Sequence, residues 1–125
     1  MEIAIQKYAA ISFFVVGLSH VVQARAWAEF FILLRAKGAA GNFANAFLTL
    51  NIGALIVSFH NVWTGIPAVL TVMGWLYVVK SLVLFAYPPI GLRSLDTVSL
   101  EKPWKFAVPG VAMIVLSGLL AYPFL

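Results

Sequence analysis

The sequence predicts an all-α protein, four transmembrane helices in an up-down-up-down bundle. Three observations carry that prediction. Of 125 residues, 63% are hydrophobic and 10% charged, where a soluble domain carries about a quarter charged residues. Mean hydropathy is +1.02, and the apolar residues fall into four stretches near the ~20 residues needed to cross a ~30 Å hydrocarbon core. Glycine, proline and charged residues gather in the gaps between those stretches, where turns belong. At this length the chain reads as one integral membrane domain, residues 1–125.

The first predicted helix covers about residues 3–36. Counted from Tyr8 to Arg35 it is ~40 Å long, more than the bilayer core, so it must tilt or protrude. Lys7, the apolar run Tyr8–Val22 and Ala24-Arg25-Ala26 have the outline of a signal peptide. The apolar pattern resumes at Phe30–Leu34, so a retained span is expected. Lys37-Gly38-Ala39-Ala40-Gly41 makes the next turn. The second helix covers about 42–63, with Asn42 as its expected N-cap. Thr64-Gly65-Ile66-Pro67 turns the chain, and Pro67 opens the third helix, about 67–87. Pro88-Pro89 ends it. A polar connection holding Arg93, Asp96, Glu101 and Lys102 leads to the fourth helix, about 103–123, in which Pro109-Gly110 should introduce a bend.

Basic residues set the expected orientation. Arg35 and Lys37 lie in the first connection, and Arg93, Lys102 and Lys105 in or beside the third. The second connection has no charge, and Lys7 is opposed by Glu2. Lysine and arginine collect on the cytoplasmic side, so both termini should lie on the non-cytoplasmic side of an inner (plasma) membrane. The same placement explains the net charge of +4 without nucleic acid. Trp63, Trp104, Tyr8, Tyr87 and Tyr122 fall near helix ends as an aromatic belt, with Trp27 and Trp75 deeper.

Polar residues inside spans are the candidate site, because they are costly in lipid and normally face protein or water. Depths can be counted at ~1.5 Å per residue from the cytoplasmic ends. Glu29, Lys80, Asn45 and Thr49 then share a layer ~5–10 Å in, Arg25 and Asn51 a second ~14 Å in, and His20 and His60 lie ~22 and ~27 Å in. On a helix of 3.6 residues per turn, His20, Gln23 and Trp27 form one stripe, and Arg25 and Glu29 another roughly opposite. Polar groups on both sides suggest that the first helix is central or lies in a homodimer interface, where Ala24 and Ala28 would admit a second helix. Arg25, Glu29 and Lys80, with Asn45, Thr49 and Asn51, form a candidate polar cluster. It would serve either as a structural ion pair or as a proton or substrate relay centred on Glu29.

His20 and His60 are the only histidines. Two histidines at similar depth on different helices can hold a haem b, which makes a membrane electron carrier the alternative function. Otherwise each bonds a neighbouring helix or water. The absence of cysteine excludes disulfides, iron–sulfur ligation and thiol catalysis. No phosphate-binding glycine loop, H-E-x-x-H or G-x-S-x-G is present, so nothing points to an enzyme.

Size, four helices and a carboxylate in the first of them resemble the small multidrug-resistance transporters in architecture. None of that family's sequence motifs is present, and the charge bias implies one orientation. The expectation is therefore a small non-enzymatic membrane protein, transporter-like or an accessory subunit, in contact with the bilayer and with a second copy or a partner membrane subunit. Two runs, Ser19-His20-Val21-Val22-Gln23 and the stretch from Ser58 to Pro67 with His60-Asn61-Val62-Trp63, have a specific look that no motif accounts for.

Overall fold

A computed structural model describes residues 1–124 and contains six α-helices. They are α1 (Glu2–Val22), α2 (Ala24–Ala36), α3 (Ala39–Phe59), α4 (Pro67–Ala86), α5 (Pro88–Leu95) and α6 (Trp104–Ala121), followed by a 3-10 turn, Tyr122–Phe124. Four segments are long and apolar enough to cross a membrane: Glu2–Val22, Ala39–Phe59, Pro67–Ala86 and Trp104–Phe124. Their outer faces carry large exposed apolar side chains, Phe14, Phe47, Leu76, Leu82 and Val115 among them. Water would not tolerate so much contiguous apolar surface, and lipid does. This is a multi-pass membrane protein.

One expectation from sequence is corrected here. The helix expected over 3–36 is two helices, because the backbone breaks at Gln23 (φ −117°, ψ 41°). The indole Nε1 of Trp27 donates to Ser19 Oγ at 2.9 Å, although eight residues of straight helix span about 12 Å. The chain therefore folds sharply at Gln23, and the overlong span is relieved by an elbow instead of tilt. The polar connection before the fourth span begins within α5, whose first two residues are Pro88 and Pro89, and proline is at home in a helix's first turn.

The spans pack as two hairpins, α1 with α6 and α3 with α4, and each hairpin closes on a pair of glycines. A Cβ at Gly17 would lie 2.8 Å from the Gly110 carbonyl oxygen, and one at Gly110 2.7 Å from that of Gly17. In the other hairpin a Cβ at Gly53 would lie 2.8 Å from the Gly74 oxygen, and one at Gly74 2.6 Å from Ile56 Cγ2. Small residues at a crossing let backbones approach, which is how membrane helices gain van der Waals energy without a hydrophobic drive. Between the hairpins a core forms from Ile5, Ala9 and Phe13 of α1 with Ile56, Leu70 and Leu120.

The two ends of the bundle differ. At one end Lys7 sits 5.2 Å from the Phe124 ring centroid, and Gln6 meets His60. At the other, α2 and α5 form a cap. Phe31 of α2 stacks on Phe106 of α6 at 5.4 Å, and Arg35 Nη1 donates to the carbonyls of Leu95 (3.4 Å) and Val98 (3.1 Å). Gly38 (φ 63°) turns the chain from α2 into α3, a left-handed position that suits glycine.

Candidate functional site

The sequence-predicted residues separate into three places. Arg25 and Glu29 lie on α2, not within a span, and pair at 3.5 Å as an i,i+4 couple with side chains 71% and 58% exposed. Such a pair contributes only a few tenths of a kcal/mol. Lys80 is exposed on α4, within two turns of its end, and makes no ion pair among the described residues. The structure does not bring it to Glu29. Depth was counted along one straight helix, and the elbow at Gln23 carries Arg25 and Glu29 away from that line.

Thr49 and Asn51 are satisfied within α3. The Thr49 hydroxyl donates to the Asn45 carbonyl at 2.9 Å and the Asn51 amide to that of Phe47 at 2.8 Å, the local bonding that such side chains make to the preceding turn. Thr49 is buried, Asn45 half-buried and Asn51 exposed, so the three do not share one face of a polar cluster. Asn42 does not cap α3, whose N-cap is Gly38. Its side chain is fully buried, and Nδ2 donates at 2.9 Å to the Leu84 carbonyl in the last turn of α4, an acceptor that the helix itself leaves open. Asn42 Oδ1 is enclosed without a partner and lies against Gly91 of α5, where any Cβ would overlap it.

The two histidines are far apart. His20 lies near the elbow, stacked on Trp27 at 4.0 Å, its Nδ1–H donating to the Val16 carbonyl at 2.8 Å. His60 lies beside Gln6, fourteen residues and about 21 Å earlier along α1. One haem iron cannot be held between them, and both nitrogens of His60 are already engaged. The similar depth expected from sequence failed because it was counted from Arg35 through the break.

His60 is the centre of a network that the sequence only hinted at. It is fully buried at the C-cap of α3. Its Nε2 is 3.1 Å from Gln6 Nε2, and its Nδ1 2.8 Å from Thr71 Oγ1. The amide nitrogen of Gln6 can only donate, so His60 Nε2 accepts and Nδ1 carries the proton. Nδ1–H then donates to Thr71 Oγ1, which also accepts from the Val62 N–H at 3.1 Å and donates to the Val62 carbonyl at 2.8 Å. Every lone pair and proton has one use in the neutral tautomer. Burial lowers the His60 pKa below its ordinary value, with Glu2 opposing the shift. Trp75 Nε1 donates to Asn61 Oδ1 at 3.1 Å and ties the same turn to α4. The signal for this site was the Ser58–Pro67 run. Its partners Gln6 and Thr71 carry no motif, and pairing residues 54 and 11 positions apart requires the fold.

Two cavities complete the picture. One, about 320 Å³ and open, lies in the elbow against Ser19, Gln23 and Trp27. The other, about 240 Å³ and the most enclosed of those described, lies in the seam between the two hairpins. No group of three or more metal-binding side chains occurs among the described residues. Comparison with protein-family models, with curated proteins and with solved structures finds no match.

Proposed function

We propose that the protein is a non-enzymatic accessory subunit of the inner (plasma) membrane. It crosses four times in an up-down-up-down order, with both termini outside the cytoplasm, and assembles with a second copy or another membrane protein. The observation that carries this reading is where charge sits. Among the described residues no charged side chain is buried in the bundle, and the buried polar groups are Asn42, Thr49, His60, Thr71, Ser81 and Ser117. A relay through a membrane needs ionisable groups facing the interior or a water-filled path. Glu29, the candidate for that role, is instead exposed on α2 beside Arg25. Seven of the eight basic residues (Arg25, Arg35, Lys37, Lys80, Arg93, Lys102, Lys105) lie toward the end capped by α2 and α5, which supports placing that end in the cytoplasm.

The test is proton flux in proteoliposomes carrying a pH-sensitive dye. Wild type and Glu29→Gln are expected to leak alike, at the level of empty liposomes. A flux that depends on Glu29 would overturn the reading in favour of transport. Native mass spectrometry from lipid nanodiscs checks the assembly, where a lone monomer at every concentration would contradict a subunit role.

A further inference from the structure

The seam cavity differs from an ordinary packing gap in three ways. All four spans line it, and its lining residues Ser12, Tyr77 and Met113 each lie near the middle of their span. It is therefore at mid-depth of the bilayer. Three hydroxyl residues line it, exposed Tyr8 and half-buried Ser12 and Tyr77, and none of the three hydroxyls makes a hydrogen bond to the described residues. The exposed hydroxyl of Ser58 also bonds nothing among the described residues, but the buried hydroxyls of the spans are all engaged. Those of Thr49, Ser81 and Ser117 donate to a carbonyl of their own helix at 2.9, 2.8 and 2.6 Å, and Thr71 belongs to the His60 network. In hydrocarbon an unused donor is costly, so half-buried Ser12 and Tyr77 lining one cavity mark a place for an acceptor. Finally, an open cleft adjoins the cavity. This cleft of about 450 Å³ shares Tyr8 and Ile52 with it and reaches the surface at Asn51 and Phe59.

We infer that this seam binds a lipid-soluble ring compound bearing carbonyl oxygens, the chemistry of a quinone headgroup, which enters from the bilayer. Tyr77 and Ser12 donate to the carbonyls. Phe13 and Tyr8 supply aromatic surface, and Met113 a polarisable sulfur suited to a ring edge. At about 240 Å³ the cavity is smaller than the ~300–1,000 Å³ of drug-sized pockets, so it takes a single small headgroup, and any chain on the ring lies in the adjoining cleft. The hairpins favour such a site because each is locked internally at its glycine crossing. The hydrogen bonds between them lie at the ends, Gln6–His60 and Arg35 with α5, and the middle of the seam is held by apolar contacts alone.

The site rests on the membrane reading, and one experiment separates the two. The full chain is reconstituted in nanodiscs and titrated with menadione, with empty discs as the blank and 2-methylnaphthalene as the same skeleton without carbonyls. Saturable menadione uptake of one per chain above the blank is expected. Tyr77→Phe and Ser12→Ala should each weaken it about 2- to 10-fold, the effect of one hydrogen bond, and 2-methylnaphthalene should bind at least as weakly as the double variant. Both substitutions only remove a hydroxyl that bonds nothing, so folding is retained, and an unchanged melting temperature verifies that. Uptake no greater than the blank would overturn the site, as would uptake indifferent to both hydroxyls and to the carbonyls, or water alone filling the seam. Alkaline carbonate extraction is run in parallel. A chain that stays in the membrane yet binds no menadione refutes the site alone, and a chain that washes out refutes the membrane reading and the site with it.

Discussion

Substituting Gly53 by alanine tests the packing that positions every other feature. The new Cβ would sit 2.8 Å from the Gly74 carbonyl oxygen, 2.8 Å from Tyr77 Cβ and 2.9 Å from the Val78 backbone nitrogen. Ordinary van der Waals contact begins near 3.4 Å, so α3 and α4 must separate by roughly half an ångström along their crossing. Two of the three atoms are backbone and cannot swing aside. Overpacking of this kind costs about 1–3 kcal/mol, which for a chain of this size lowers the melting temperature by roughly 4–12 °C. Gly118→Ala is the internal control, because nothing lies within 4 Å of a Cβ there. In that variant alanine should be neutral or should stabilise the helix by up to about 1 kcal/mol. The assay is thermal unfolding in mild detergent, followed by tryptophan fluorescence. If Gly53→Ala melted within a degree of wild type, or if Gly118→Ala were the more damaging of the two, the glycine-crossed hairpins would be wrong.

Two further outcomes follow from the same contacts. Burial holds the His60 pKa below its ordinary value, so the unfolded chain takes up a proton at a higher pH than the folded one. The stability from neutral His60 is therefore complete above about pH 6.5 and is lost as pH falls through the lowered value; melting temperature should drop between pH 7 and 5 in wild type and much less in His60→Gln. Arg35→Met keeps the side-chain stem but loses the bonds to the Leu95 and Val98 carbonyls, worth about 1 kcal/mol at this half-exposed position, so limited trypsinolysis after Arg93 should be faster than in wild type.

The four spans were legible in the sequence because each depends only on local composition, and their ends on local punctuation. Pro67 opens α4 and Pro88-Pro89 ends it as read, while Gly38 turns the chain before α3. The elbow at Gln23 was not legible. No proline or glycine marks it, and the bond from Trp27 to Ser19 that secures it appears only when the chain is already bent. That one break displaced the whole depth count. It put Glu29 and Arg25 on α2 and moved His20 far from His60. The sequence did place His20, Gln23 and Trp27 on one stripe, and His20 and Trp27 do stack, though across an elbow and not along a helix face. Asn42 was read as a cap, and it is one, for a different helix: its amide closes the end of α4. Partners such as Gln6, Thr71, Ser12 and Tyr77 are single unremarkable residues in apolar runs, so only the tertiary fold assembles them.

The central claim is that charge is kept at the ends of four membrane spans, with the basic end inside the cell. The chain has no native cysteine, so single cysteines can be introduced without background. Thr64→Cys, between α3 and α4, and Thr97→Cys, after α5, are both exposed positions to be probed with a membrane-impermeant maleimide on spheroplasts. Labelling of Thr64→Cys from outside, with Thr97→Cys labelled only after lysis, is the predicted result. Labelling of both from the same side, or the reverse pattern, would contradict it.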